Sequence, residues 1–370
     1  MKKLTWSILL TISALQANAQ AYLGVSSGNY AGALGNLVNP ASFVDGRYKM
    51  DLALPALNLF TYQNFGSFNA DAMRAAQGGE GNWWYKSFTD TAVLNSWAYP
   101  SSTFIDRLIV HNYNEASPGV LGANINFRLD LFNLAFHIGE KRSLGLYANL
   151  RSITNVDNMD PKLAVLSEEG LEYPALWNVQ LNEELVNVNH LTWSEIGFNY
   201  SQVLIDNKEH FLKIGVSPKV LLGFASAYVH TQDFSYNLIN EDTSQYLAGT
   251  FDYGYSKEVG DFITAGVNGQ INNNNIFDYL KPGSIGLGLD IGAVYEWRPN
   301  YAKYKYDMDG KTDLWMRNEN KYKARAGVSI LDMGGMKFTK GGLSRNFVVN
   351  SSTLFDLNRF ESATDLETFD

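Results

Sequence analysis

The chain has 370 residues, no cysteine, 18% charged residues and a formal net charge of −9. The absence of cysteine excludes a disulfide-held secreted mini-fold, and the acidic balance excludes the basic footprint that nucleic-acid binding needs. With 21 Tyr, 21 Phe, 8 Trp and 32 Gly against 9 Pro, and a charged share below the roughly 25% of ordinary soluble domains, the composition suits sheets with one apolar face, one polar face and aromatic rims.

The N-terminus reads as a signal peptide over residues 1–19. Lys2 and Lys3 supply the positive start, Leu4 to Leu15 a short apolar stretch, and Ala17-Asn18-Ala19 a small-residue cleavage site that leaves Gln20 first. The apolar stretch is too short to cross a bilayer as a helix, which takes about 20 residues. With no cysteine at the cleavage site, a lipid anchor on the mature N-terminus is excluded. Downstream, no apolar run approaches the roughly 18 residues of a membrane-spanning helix.

Residues 22–47 are rich in Gly, Asn and Ala and read as short helices or a plug; the plug-like segment is placed at 20–47. Residues 64–118, with Gly78-Gly79 and Trp83-Trp84, lack alternation and read as a long loop with some helix. Period-two alternation then begins. Ile125, Phe127, Leu129 and Leu131 share one face, and Asn124, Asn126, Arg128 and Asp130 the other, because successive side chains of a strand point to opposite sides. At Leu131-Phe132 the register slips by one, as at a bulge, and Phe132, Leu134, Phe136 and Ile138 continue the apolar row. After a turn at Gly139–Arg142, Leu144, Leu146, Ala148 and Leu150 oppose Gly145, Tyr147, Asn149 and Arg151.

Residues 156–190 read as a second long loop, helical around Leu163–Gly170 and Glu183–Val186. Alternation resumes with Ile196, Phe198 and Tyr200 against Glu195, Gly197 and Asn199, turns at Asp206–Glu209, and returns with Leu212, Ile214 and Val216 against Lys213, Gly215 and Ser217. Asn272–Asn275 is a turn or loop. Ile285, Leu287, Leu289, Ile291, Ala293, Tyr295 and Trp297 form one face, and Gly286, Gly288, Asp290, Gly292 and Glu296 most of the other. Ala324, Ala326, Val328 and Ile330 oppose Lys323, Arg325, Gly327 and Ser329, and an acidic tail, weakly helical, covers 351–370. About ten to twelve strands result, all antiparallel, with the barrel proper at 48–350. A soluble sandwich also alternates, but Tyr295 and Trp297 near a strand end suit a membrane interface better.

Four constellations bear on chemistry. Gly24-Val25-Ser26-Ser27-Gly28 has the spacing of a nucleophile elbow but no strand before it, so it reads as a flexible glycine segment. Asp307, Asp309 and Asp313 start a calcium-loop pattern, yet Asn318 stands where its bidentate Glu belongs; Asp309-Gly310 is also a hairpin turn, the preferred reading, so no metal is assigned. His111, His137, His190, His210 and His230 show no ligand spacing. Arg128, Asp130, Arg151, Glu195, Lys213, Lys219, Asp290 and Glu296 are the lumen-facing candidates. They either bind solute or pair across strands to fill a barrel interior, and the second reading is preferred.

Several stretches resemble an uncharacterised Bacteroidetes-type outer-membrane β-barrel family, distantly like the long-chain fatty acid transporter barrels. Tyr30-Ala31-Gly32 and Asn39-Pro40-Ala41-Ser42 are similar to its post-signal motif, with Val44-Asp45 and Tyr48-Lys49 following. Asp130-Leu131-Phe132, Lys219–Gly223, Gly288–Tyr295 and Ser329–Gly334 resemble later motifs in the same order. The resemblance implies a transmembrane barrel of the fourteen-strand type with an N-terminal plug and no catalytic residues. Members of that family continue for several more strands, some ending in a peptidoglycan-binding domain, so this chain reads as a piece whose barrel does not close.

The expectation is therefore an outer-membrane barrel for passive passage of small or amphipathic molecules. A structural or assembly barrel, anchoring a periplasmic domain or serving a secretion or motility complex, is the alternative. No enzyme, no cofactor and no nucleic acid are expected; outer-membrane lipid and envelope proteins are the expected partners.

Overall fold

The computed structural model describes residues 26, 28, 31–46, 48–68, 109–111, 114, 116–267, 281–316 and 319–357. The signal peptide, most of the Gly24–Gly28 segment and of the 64–118 loop, the Asn272–Asn275 turn and the tail beyond 357 lie outside them. The described chain is all-β, and every strand pairing in it is antiparallel.

One eleven-stranded sheet carries the molecule. It begins with β1 (Met50–Ala53) and β2 (Ala56–Gln63), both paired to β5 (Leu121–Ile138). It continues through β6 (Arg142–Met159), β7 (Gln180–Asn207) and β8 (His210–Asn240). β8 is 31 residues long. Its first part pairs with β10 (Ser284–Trp297) and its second with β9 (Thr243–Tyr255). β13 (Ala324–Gly335) borders β10; β14 (Arg345–Ser351) and β15 (Phe355–Asp356) border β9. Among the described residues the β1/β2 margin and the β13/β14 margin are not joined. Two small two-stranded sheets are separate from it: β3 (Gly66–Phe68) with β4 (Ile109–His111), and the hairpin of β11 (Lys305–Met308) with β12 (Lys311–Trp315).

The sheet is strongly curved. From β6 to β13 the path takes four steps, β7, β8, β10 and β13, which in a flat sheet is roughly 19 Å at about 4.8 Å per step. Arg151 on β6 nevertheless sits 3.0 Å from Asp332 on β13. Bulges assist this bending: they occur at Asp130/Phe132, Thr192/Trp193, Val203/Ile205 and Leu289/Ile291. The first coincides with the register slip that the Leu131-Phe132 pattern predicts.

Burial on the two faces is inverted relative to a soluble domain. Ile285 is 74% exposed and Leu287 72%, whereas Asn149 and Asn199 are 0% and Lys219 5% exposed. The convex face is apolar and open; the concave face is polar and buried.

The 156–190 expectation needs correction. β6 runs to Met159, and Glu183–Val186 belongs to β7 rather than to a helix. Val186-Asn187-Val188-Asn189 carries the alternation of a strand, which a run of Glu and Leu before it obscures. The helix read at Leu163–Gly170 is present as α1 (Pro161–Glu169). Asp160 caps it by accepting from Lys162 N at 2.8 Å, Pro161 fits its first turn, and Gly170 leaves it with φ 79°. Val165 and Leu166 of α1 pack with Leu176, Leu181, Tyr236 and Leu238 in a small apolar core between the long ends of β7 and β8. A second helix, α2 (Lys257–Val267), follows β9 where no helix is predicted. The tail is not helical where described: Phe355–Asp356 pairs with Ser244 and Thr243.

Candidate functional site

The concave face is filled by the N-terminal segment. Two short 3-10 helices, Gly32–Leu37 and Pro40–Phe43, lie against it. Asn39 organises the join. Its Oδ1 accepts from Ala41 N at 2.9 Å, capping the second helix, and its Nδ2 donates to Ala293 O at 3.1 Å and Val328 O at 3.0 Å. Those two residues are directly paired on β10 and β13, so one side chain ties the segment to both strands. Asn199 Nδ2 reaches Asn36 Oδ1 and Pro40 O, Lys213 Nζ donates to Val44 O at 3.0 Å, and Ser329 Oγ donates to Val38 O at 2.7 Å.

Glycines make the approach possible. A Cβ on Gly145 would strike the Phe43 ring, one on Gly215 the Pro40–Ala41 backbone, and one on Gly292 the Asn39 side chain. Each sits on the concave face of its strand, where a bare backbone lets another backbone come close. Replacing Asn39 with Asp would turn the donor toward two carbonyls into a carboxylate oxygen. We expect N39D to loosen the segment, losing two partly buried hydrogen bonds of about 1 kcal/mol each and adding repulsion. Limited proteolysis of the solubilised protein should then cut within 31–46 at lower protease concentration than in the wild type.

Two charge groups occupy the same face. In the first, Arg151 Nη1 pairs with Glu195 Oε1 at 3.0 Å and with Asp332 at 3.0 Å. Lys219 Nζ lies 2.5 Å from Asp332, 2.9 Å from Asp290 and 3.7 Å from Glu195. Trp193 Nε1 donates to Glu195 at 2.9 Å, and the Arg151 guanidinium stacks 4.7 Å from the Trp193 ring centre. Arg128 pairs with Asp130 at 2.9 Å nearby. In the second group Arg298 pairs with Glu296 at 2.6 Å and with Asp45 of the N-terminal segment at 3.3 Å, over the Phe211 ring at 3.6 Å. Lys321 and Arg325 approach Asp45 and Glu296 at 3.6 and 3.7 Å. Burying so many charges is tolerable only because each has partners.

A family model described as a family of unknown function, DUF5723, matches residues 40–370. The chain belongs to that family. No curated protein and no solved structure matches.

In this DUF5723 chain the eight charged candidates all lie on the concave side of the sheet. Arg151, Glu195, Lys219 and Asp290 meet in the first group with Arg128 and Asp130 adjacent; Glu296 is in the second, and Lys213 on β8 donates to Val44 O of the N-terminal segment. Asn39, Pro40 and Ala41 form the junction described above. Asp307, Asp309 and Asp313 are on the β11–β12 hairpin. Asp309 and Gly310 have φ 53° and 74°, the left-handed pair of a tight hairpin turn, and Asp307 accepts from Asp313 N at 2.8 Å. His190 bonds Thr154 and Thr192, and His230 bonds Asn189.

Sequence reading missed Asp332, Arg298, Asp45 and Lys321. Strict alternation from Ser329 puts Asp332 on the apolar side. The bulge opposite Asp290 inserts an extra residue, Asp332 takes φ 59°, its N–H bonds Asp290 at 2.7 Å, and its carboxylate turns inward. Arg298 stands one residue past β10, in phase with Glu296; extending the alternation by one step would have found it. Asp45 and Lys321 lie in non-strand segments, which carry no period to read.

Proposed function

We propose that this protein is an outer-membrane β-barrel protein whose interior is closed at rest by residues 31–46, and that it passes small or amphipathic molecules when that segment shifts. The observation that carries the reading is the inverted burial. Ile285, Leu287, Leu289, Ile291, Tyr295 and Trp297 are all exposed on one face of β10, while Asp290 and Glu296 on the other are buried. Lipid is the solvent in which that arrangement is stable. The apolar row from Ile285 to Trp297 takes twelve residue steps. At about 3.3 Å per residue and a tilt of about 45° it rises about 28 Å, close to the apolar band of outer-membrane barrels. Tyr295 and Trp297 close one end of it, as an aromatic girdle does. At the other end the outward positions turn polar: Ser152, Thr154, His190 and Thr192 bond one another.

The test uses the product of the full gene. Outer membranes are isolated and the protein is run on a denaturing gel with and without boiling. Outer-membrane fractionation with a heat-dependent mobility shift supports the reading; a soluble protein without a shift returns it to a secreted sandwich. Deleting residues 31–46 should raise uptake of a hydrophobic dye, and unchanged uptake would sink the passage role.

One observation favours a structural or assembly barrel instead: the interior is packed by the segment and by ion pairs, and β7 and β8, at 28 and 31 residues, run far beyond the roughly ten needed to cross a bilayer. Their long ends with α1 form a body outside the apolar band that a partner envelope protein could hold. Under that role, native purification in mild detergent recovers a stoichiometric envelope partner, and truncation of that body releases it.

A further inference from the structure

A cavity of about 340 Å³ opens between the N-terminal segment and the wall, near the short turns that join β5 to β6 and β7 to β8. Its volume is within the range of small-ligand sites. Four cations line it: Lys213, Arg298, Lys321 and Arg325. Two carboxylates answer them, the half-buried Asp45 and the buried Glu296, and these are taken by Arg298, Lys321 and Arg325. Asp51 and Glu319 also border the cavity but lie beyond ion-pair distance of all four.

Lys213 is the cation left over. It is 5% exposed; among the described residues it forms no ion pair within 4.0 Å, and its one hydrogen bond there goes to Val44 O. An ammonium has three donors, and leaving two unused in a buried site is costly unless something else accepts them. His137 also borders the cavity, and its Nε2, 2.6 Å from Phe43 O and 3.1 Å from Gly46 N, ties the ring to the N-terminal segment. An aliphatic ligand would leave the Lys213 ammonium unanswered. A compact anion would answer it.

We propose that this cavity binds a small polar anion, a carboxylate or a phosphate, with Lys213 as its main contact and Lys321 beside it. The site is built from the concave face and the N-terminal segment together, so ligand and segment are linked: a bound anion bridges β8 to the Val44–Gly46 stretch. The inference does not depend on where the sheet resides.

The test is calorimetric titration of the full chain in mild detergent with inorganic phosphate and, separately, succinate; glycerol is the neutral control. Saturable binding of at least one anion, with a dissociation constant at or below about 1 mM, is expected, with no heat from glycerol beyond dilution. Lys213→Met, nearly isosteric, should weaken that binding at least about tenfold, the scale of losing one charged hydrogen bond. Lys321→Gln should weaken it severalfold, and Lys257→Gln on the exposed face of α2 should leave it unchanged. Absence of saturation by both anions up to about 10 mM, in protein that keeps its β-sheet circular dichroism, would overturn the proposal. So would undiminished binding by Lys213→Met. If that variant loses its fold, Lys321→Gln decides, and unchanged affinity there overturns the site. Fractionation and gel mobility read the membrane assignment without any anion, so the two can fail separately.

Discussion

Gly215→Val should expel the N-terminal segment from the concave face while leaving the sheet in place. A Cβ at Gly215 overlaps the backbone of Pro40 and Ala41, not a movable side-chain tip. Backbone held by Asn39, Asn199 and Ser329 cannot give by the distance required. The strand itself tolerates valine, which has high strand propensity. The strain, about 1–3 kcal/mol for overpacking of this kind, is therefore relieved by the weaker partner, the short segment. Protease added to the solubilised protein should cut within residues 31–46 in the variant and spare the strands, and dye uptake should rise as it does on deleting the segment. Gly335→Ala, where a Cβ meets nothing within 4 Å, is the control and should behave as wild type. A Gly215→Val protein with an uncut segment would mean that the segment is not held by this contact.

Lys219→Met should be the most destabilising single change in the interior. Lys219 neutralises Asp290, Glu195 and Asp332 at once, and the first two are buried. Its removal strands carboxylates that water cannot reach, a loss of about 3–5 kcal/mol. The midpoint temperature of the boiled-versus-unboiled mobility shift should fall markedly. Asp332→Asn removes a group whose side chain is 50% exposed, so its partners keep other carboxylates and solvent offsets part of the loss; about 1 kcal/mol is expected. If the two variants melted together, the charge group would be a surface decoration and not a support of the curved wall.

Much of this architecture is legible from local pattern. Alternation at Ile125–Leu131, Leu144–Arg151 and Ile285–Trp297 assigns each residue to a face without knowledge of its neighbours, because a strand's side-chain period is two wherever it occurs. The register slip before Phe132 is legible for the same reason. Where strands are long and mixed with Glu and Leu, as at Gln180–Val186, the period fades and local pattern no longer separates strand from loop.

What the chain's sequence determined by itself was therefore which side chains oppose which: apolar rows on one face, charges and glycines on the other. The tertiary structure decided the rest. It bent the sheet until Arg151 met Asp332 four strands away, it used a bulge to turn Asp332 inward against its own parity, and it laid Asn39 and Pro40 on Gly292 and Gly215. The reason is range. Face is set by the geometry of consecutive peptide units, whereas curvature and docking are set by contacts between residues more than a hundred positions apart, which no local period records.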